Sequence, residues 1–314
     1  MNEWDIKVEL EASAISVGTE RWALMGKRPK GDVTFPCIPG YLSVGKIVDK
    51  GSEVKGYDIG QRVNFVAARI PDGYTGNWMC GHISPALVNV NPENIDPLWD
   101  LPYCEIVPEA VSAEVATFAG LAGVACRGIE MAGLKLGDNV VVVGQGFIGQ
   151  MAAQICRLKG ARVIAADILP GRVELSAKYS ADFAVNSKEE NLTEFVHSLY
   201  PDGADVVIDT TGSDRMINEE ISFLRMWGKL IFQGWYPGNS SLFLHNFQNN
   251  FVTAYFPSGH AGMAVRQVLQ WMDDSKLVVE PLITHRFLVK DAIEAYDLVL
   301  NKPEEILGVL FTWE

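Results

Sequence analysis

The rhythm of apolar and polar residues changes once along the chain. Up to about residue 110 the pattern is short and β-like. Residues 6–14 alternate, 45–48 and 62–67 form further apolar runs, and Gly51, Gly56 and Gly60 punctuate them as turns. Several short strands at this spacing predict a β-rich, barrel-like domain over 1–110. From about 112 the pattern alternates strand with helix: helix 113–131, strand 139–143, helix 150–159, strand 162–166, helix 172–178, strand 205–209, helix 215–224, strand 228–232 and a last strand near 251–255. Such alternation predicts an α/β fold with a doubly wound parallel sheet over 111–257. The remaining residues, 258–314, predict helices 261–272 and 291–300, a short extended piece 282–285 and a closing strand 307–312. This tail is too small to fold alone and is expected to return to the first domain.

The strongest chemical signal lies where the first strand of the second domain ends. The apolar run Val140–Val143 breaks into Gly144-Gln-Gly146-Phe147-Ile148-Gly149, and a helix-forming stretch follows. In a dinucleotide site the first glycine lets the chain turn sharply. The second lets the backbone approach a pyrophosphate, and the third lets helix and strand pack closely. The helix N-terminus offers N–H groups and the positive end of its dipole to phosphate. The next strand ends on Asp167, eighteen residues past the last glycine, a spacing that suits a carboxylate accepting from an adenosine ribose. A 2′-phosphate beside that carboxylate meets a repulsion of roughly 4 kcal/mol at 4 Å and an effective dielectric of 20. Arg172 could soften this repulsion without replacing the acid, so NAD(H) is expected over NADP(H). Two further strands of the domain end in Asp209-Thr-Thr211-Gly212 and Gln233-Gly234-Trp235, where ligands of open α/β sheets collect.

Composition narrows the classes. The chain has 314 residues, 48% hydrophobic and 21% charged, as in a globular protein of two domains. A net charge of −13 argues against nucleic-acid and anionic-membrane partners. No apolar run approaches the roughly 18 residues of a membrane span, and the acidic start is unlike a signal peptide, so a cytoplasmic protein is expected. Five scattered cysteines without a Cys-x-x-Cys suggest reduced thiols and no cysteine zinc cluster.

Specific strings resemble the medium-chain dehydrogenase/reductase superfamily, the relatives of zinc-type alcohol dehydrogenases. Gly18-Thr19-Glu20 resembles the family's Cys-Gly-Thr-Asp, and Pro39-Gly40-Tyr41 its Pro-Gly-His-Glu. The run 54–63 resembles the turn before its Gly-Asp-Arg-Val strand. Leu282-Ile-Thr-His285-Arg286 and Ala292-x-x-Ala295-Tyr296 resemble its C-terminal signature. The resemblance implies a GroES-like catalytic domain completed by the tail, a Rossmann domain, and a homodimer formed through the Rossmann edge strand. Ile15-Ser-x-Gly-Thr-Glu20 and the closing Ile-Leu-Gly-Val-Leu-Phe-Thr-Trp look most like the branch that includes the bacteriochlorophyllide dehydrogenases, which oxidise a hydroxyethyl side chain with NAD.

The departures matter as much. Val17, Tyr41-Leu42 and Ala119 or Gly120 stand where the resemblance places the three catalytic zinc ligands, so no zinc is expected. The positions of phosphate-binding arginines hold Gly18 and Leu307. The family's opening hairpin ahead of the strand near Asp5 is missing, either lost or because the chain begins late. Its loss would expose a strand edge.

Without metal, a side chain must handle the proton that accompanies hydride transfer. Thr19 matches the hydroxyl that begins the family's proton relay, or caps the turn at Gly18. Tyr41 could donate to a carbonyl oxygen, act as base if its pKa were depressed, or simply pack. Glu20 matches an acid that orients a metal ligand, and here could orient Tyr41 or Arg21 or form a salt bridge. His82 matches a loop that approaches substrate and is the candidate general acid/base, whereas a structural hydrogen bond suits His285. His197, His245 and His260 read as surface or packing residues. Trp22, Trp78, Trp235 and Tyr236 fall in loops that could wall a cleft for a bulky ring or a sugar face, or could pack at the domain junction. The expected activity is zinc-independent, NAD(H)-dependent alcohol oxidation or ketone reduction. Reduction of a conjugated double bond, as in zinc-free quinone and enoyl reductases, and non-catalytic NAD binding are the alternatives.

Overall fold

A computed structural model describes residues 1–31, 33–74, 80–96, 101–236, 239–259 and 262–314. Trp78, His260 and the first residue of the expected helix 261–272 lie outside them. The chain divides into two compact units, Met1–Gly123 with His260–Glu314, and Val124–Gly259.

The first unit opens with β1 (Asp5–Ile15), α1 (Val17–Leu24), β2 (Leu42–Lys50), β3 (Arg62–Phe65), β4 (Ala86–Asn89), β5 (Cys104–Ile106) and α2 (Ala113–Thr117). Helix α3 (Ala119–Met131) then carries the chain into the second unit. The expected helix 113–131 is therefore two helices, separated at Phe118, whose φ and ψ of −87° and 1° leave the helical region. Alternation in β1 buries Ile6, Val8 and Leu10 against Ile47, Val63, Phe65 and Val88.

The second unit runs β6 (Asn139–Val143), α4 (Phe147–Leu158), β7 (Arg162–Asp167), α5 (Pro170–Leu175), β8 (Phe183–Asn186), α6 (Leu192–Leu199), β9 (Ala204–Asp209), α7 (Asp214–Glu220), β10 (Leu224–Phe232), α8 (Leu244–Asn249) and β11 (Thr253–Tyr255). Its sheet has the order β11-β10-β9-β6-β7-β8, and every pairing is parallel. The strand order reverses between β6 and β9, and ligands of such sheets bind at the carboxyl ends of that pair. The valines of β6 are buried as a parallel strand covered on both faces requires.

Two expected helices of this unit are corrected. The stretch 172–178 is α5 followed by a π-helical turn, Ser176–Ser180. Residues 215–224 are α7 followed by a 3-10 turn, with Leu224 already in β10. The π turn faces α4 through a buried polar ladder. Ser176 Oγ donates to Gln145 Oε1 at 3.0 Å, Gln150 Nε2 donates to Ser176 Oγ at 2.9 Å, and Gln154 Nε2 donates to Ser180 Oγ at 3.3 Å.

The chain returns to the first unit through α9 (Gly262–Asp273), β12 (Ile283–Leu288), α10 (Ala292–Asn301) and β13 (Gly308–Thr312). Strand β13 pairs with Ala12–Ile15 of β1, and β4 pairs with Asp5–Val8. The tail thus completes the sheet of the first unit. The opposite edge of β1 pairs with β2, so the expected exposed edge does not lie at β1. Among the described residues no helix is long and apolar enough to cross a membrane.

Candidate active site

Two groups of candidate residues assemble, one in each unit. In the second, Gly144 turns the chain after β6 with a φ of +85°, and α4 begins at Phe147. A Cβ at Gly149 would stand 1.9 Å from the Gly144 carbonyl oxygen, so only glycine lets α4 start this close to the strand. A Cβ at Gly146, by contrast, would meet nothing within 4 Å, and no side chain caps the helix there. This open space before an uncapped helix start fits a pyrophosphate.

Asp167 is 7% exposed. One of its oxygens accepts the Gln145 N–H at 2.6 Å and the other the Leu169 N–H at 2.9 Å, while Arg172 Nη1 stands 3.9 Å away. Each carboxylate oxygen can accept twice, so the acid can brace the glycine turn and still receive ribose hydroxyls.

Asp209 holds the loops after β9 and β10 together. Its carboxylate accepts from Thr211 N at 3.0 Å, Thr211 Oγ1 at 2.6 Å and Gly212 N at 3.3 Å. Its carbonyl accepts the N–H groups of Gln233 and Gly234 at 2.9 and 2.8 Å. Glycine is needed at both contact points of these loops. A Cβ at Gly234 would stand 2.6 Å from Gly212 N, and one at Gly212 would stand 2.4 Å from the Trp235 carbonyl oxygen. The structure changes two expectations here. The Tyr236 hydroxyl donates to Asp209 Oδ2, so its polar end is fixed inside the unit. Both amide atoms of Gln233 are buried without a hydrogen-bond partner among the described residues, in the space left by Gly128, so a contact to cofactor would come from its backbone.

The first unit gathers Thr19, Glu20, Tyr41 and His82. Tyr41 follows the Gly40 turn and its ring is buried; its hydroxyl lies 2.6 Å from Ser16 Oγ and 3.2 Å from Thr19 Oγ1. Burial pushes the phenol's pKa above its ordinary value. The depressed, basic tyrosine considered from sequence is therefore not what forms; the group is a neutral donor. Thr19 lies inside α1 rather than capping it.

Glu20 is fully buried. Oε1 accepts the Ser16 N–H at 2.8 Å, while Oε2 receives the Tyr296 hydroxyl at 2.5 Å and stands 3.3 Å from His82 Nε2. It orients neither Arg21, whose Nε donates to the Leu300 carbonyl, nor Tyr41 directly. It fixes Ser16, which in turn meets Tyr41. The proton on His82 follows from its partners. Trp313 Nε1–H can only donate, and does so to Ser13 Oγ at 2.9 Å. The Glu20 carboxylate can only accept, which assigns Nε2–H to it at 3.3 Å, and Nδ1 lies 2.8 Å from the same Ser13 Oγ. Both ring nitrogens are engaged and the side chain is 6% exposed, so His82 buttresses Glu20 in this arrangement. The Gly40 turn packs on its ring; a Cβ there would stand 2.6 Å from His82 Cδ2.

Ser16, Ser13, Tyr296 and Trp313 were not singled out as candidates in the sequence. Ser16 had a local signal, since Glu20 reaches back to its N–H much as in a capping box. Trp313 and Tyr296 arrive from the returning tail, where each stood only within a string that resembles the family pattern. His285 joins the neighbouring Thr284 hydroxyl at 2.9 Å, consistent with a structural role. Trp22 is half-buried under Lys27, and Trp235 is 47% exposed. Among the described residues no group of three or more His, Cys, Asp or Glu is placed to hold a metal ion.

Comparison with known proteins bears on the family and the fold. A family model described as zinc-binding dehydrogenase matches residues 148–274. An L-threonine 3-dehydrogenase from Chelativorans sp. (strain BNC1) is 31% identical over 280 residues, spanning 84% of this chain and 79% of the relative. Among solved structures, the alcohol dehydrogenase TADH from Thermus sp. ATN1 superposes with a TM-score of 0.82 at 21% identity, over 100% of this chain and 94% of that one. A protein from Sinorhizobium meliloti 1021, solved bound to NADP, gives 0.83 at 20% identity over 99% and 93%. The chain belongs to the medium-chain dehydrogenase/reductase superfamily and is a dehydrogenase of that type.

Proposed function

We propose that this dehydrogenase is a zinc-independent, NAD(H)-dependent enzyme acting on a secondary alcohol or the corresponding ketone. The observation that carries the reading is the neutral Tyr41 phenol, in contact with two hydroxyls, at a position where the resemblance expects a metal ligand. The donor set there does not fit zinc. Val17, Leu42 and Ala119 have no metal-binding side chain. A Cβ at Gly120 would stand 2.8 Å from Leu42 Cδ2 and 2.9 Å from Tyr103 Oη, so side chains already fill the space of a third ligand.

The bound nicotinamide supplies the hydride acceptor for oxidation or the donor for reduction. The residues of the chain handle the proton. In reduction Tyr41 gives its proton to the carbonyl oxygen as negative charge develops on it, and Ser16 or Thr19 can pass a replacement; oxidation runs the same path backwards. Asp167 favours NAD(H) because a 2′-phosphate would face its carboxylate. The NADP-bound neighbour, at 20% identity, shares the fold alone. A bulky ring or sugar-like substrate is suggested by the exposed Trp235.

Titration of metal-stripped protein with NADH and NADPH, with elemental analysis of the protein beforehand, tests the reading. Tight NADH binding, weak NADPH binding and no zinc are expected, followed by turnover in a screen of bulky secondary alcohols. Preference for NADPH with turnover of enones or quinones only would transfer the assignment to double-bond reduction. Stoichiometric zinc would overturn the metal-free chemistry.

We also infer a homodimer through β11. It is the outer strand of its sheet, and Thr253 and Ala254 are exposed. Light scattering should give about twice the 34.5 kDa chain mass; a monomer at micromolar concentration removes the inference.

A further inference from the structure

Behind the clasp formed by Asp209 lies an acid that the chemistry above does not use. Glu220, at the end of α7, is fully buried, as is Asp209; no N–H or hydroxyl among the described residues donates to either Glu220 oxygen, and the carboxyl group beside it is that of Asp209. The titratable groups acting on it are Asp209 on β9, Tyr236 from the loop after β10 and Glu219 on its own helix. None is a cation. Two carboxylates side by side in an apolar interior repel each other, and each resists losing its hydration.

Asp209 is the better placed to carry the charge. It accepts from two backbone N–H groups and two hydroxyls, Thr211 and Tyr236. Glu220 has no such donors. Burial first, and then the Asp209 charge, hold its pKa well above the ordinary carboxylate value.

We propose that Glu220 is a protonated positioning residue for the cofactor loops. Its neutral carboxyl backs the charged Asp209, so that one proton is shared between two buried acids. Asp209 in turn holds Thr211–Gly212 and the turn at Gln233–Gly234. Loss of the proton puts a second negative charge behind the clasp, and the loops it holds loosen. This deepens the functional reading above and rests on it, because those loops are assigned to the nicotinamide cofactor. The consequence is a loss of cofactor affinity on the alkaline side that originates away from the proton donor Tyr41.

The test compares wild type with Glu220→Gln, whose amide mimics the neutral acid, and with Glu220→Met, which removes the acid altogether. The first readout is thermal and urea unfolding from pH 5 to 9 without cofactor. Unfolding frees Glu220 to ionise near 4.5, so above that pH the wild type unfolds with release of a proton. Its folding constant then falls up to tenfold per pH unit relative to either variant, until the folded-state pKa is reached. The stability gap should therefore widen in favour of the variants as pH rises. The second readout is NADH affinity by fluorescence from pH 6 to 10, where the wild type should weaken at the alkaline end and Glu220→Gln should stay level.

Parallel stability curves for wild type and both variants would overturn the shared proton. A widening gap together with an NADH affinity that follows the same alkaline profile in wild type and Glu220→Gln would overturn the positioning role. A widening gap in a protein that binds no NADH at any pH would support the shared proton and reject the cofactor assignment instead.

Discussion

Alanine at Gly149 is expected to cost about 3 kcal/mol or more in stability and to abolish NADH binding. The added Cβ would stand 1.9 Å from a backbone oxygen. No side-chain rotation relieves that contact, so α4 must move away from β6. Overpacking typically costs about 1–3 kcal/mol where flexible neighbours can give way, and here the neighbour is main chain. Gly146→Ala is the matched control. Its φ and ψ of −64° and −178° suit any residue, and its Cβ enters open space, so the fold should keep its stability. The methyl would occupy the place of the pyrophosphate, and NADH binding should weaken roughly tenfold or more, about 1.4 kcal/mol. Urea unfolding and NADH titration of the two variants separate packing from binding. A Gly149→Ala protein within about 0.5 kcal/mol of wild type would refute the packing argument, and full NADH affinity in Gly146→Ala would move the phosphate elsewhere.

Tyr41→Phe should lower the rate of ketone reduction by about 100-fold or more, the usual range for losing a general acid. Cofactor affinity should be unchanged, because Tyr41 lies in the other unit from the glycine turn. Stability should fall by only about 1 kcal/mol for the lost hydrogen bonds. The pH profile tells donor from base. Because burial raises the phenol's pKa, the proton is present throughout the neutral range, and Tyr41 should not limit reduction until pH exceeds the ordinary phenol value of about 10. Full activity in Tyr41→Phe would return this residue to packing.

What was legible in the sequence was local. The glycine turn, Asp167 and the alternation of strand and helix are each set by residues within one strand–turn–helix unit, where periodicity and turn chemistry operate. Helix α6, absent from the expected elements, has an equally local signal. Asn191 caps it by accepting the Glu194 N–H at 3.1 Å, and both residues stand in the sequence as an ordinary start signal. The π turn at Ser176–Ser180 was not visible, because the glutamines that make it worthwhile belong to the previous βα unit. The site in the first unit fails for the same reason on a larger scale. Thr19 and Tyr41 could be aligned with a family pattern, yet their chemistry depends on partners far along the chain. The Tyr296 hydroxyl that reaches Glu20 is 276 residues away, and Trp313, which donates to the Ser13 hydroxyl beside His82, lies 300 residues beyond Ser13. Such contacts carry no periodicity, and the buttressing of Glu20 by His82 depends on them.

The ladder of glutamine and serine between α4 and the π turn limits how this protein can drift. Losing one rung leaves a buried amide or hydroxyl without a partner, at a cost of about 1–3 kcal/mol, whereas exchanging both members for apolar residues of similar shape is nearly neutral. The rungs are joined, because Ser180 Oγ also donates to Gln150 Oε1 and Ser176 Oγ to Gln145 Oε1, so a lineage cannot leave this seam one pair at a time. Each intermediate step draws on a margin of only about 5–15 kcal/mol for the whole fold, so Gln145, Gln150, Gln154, Ser176 and Ser180 should be inherited or lost together.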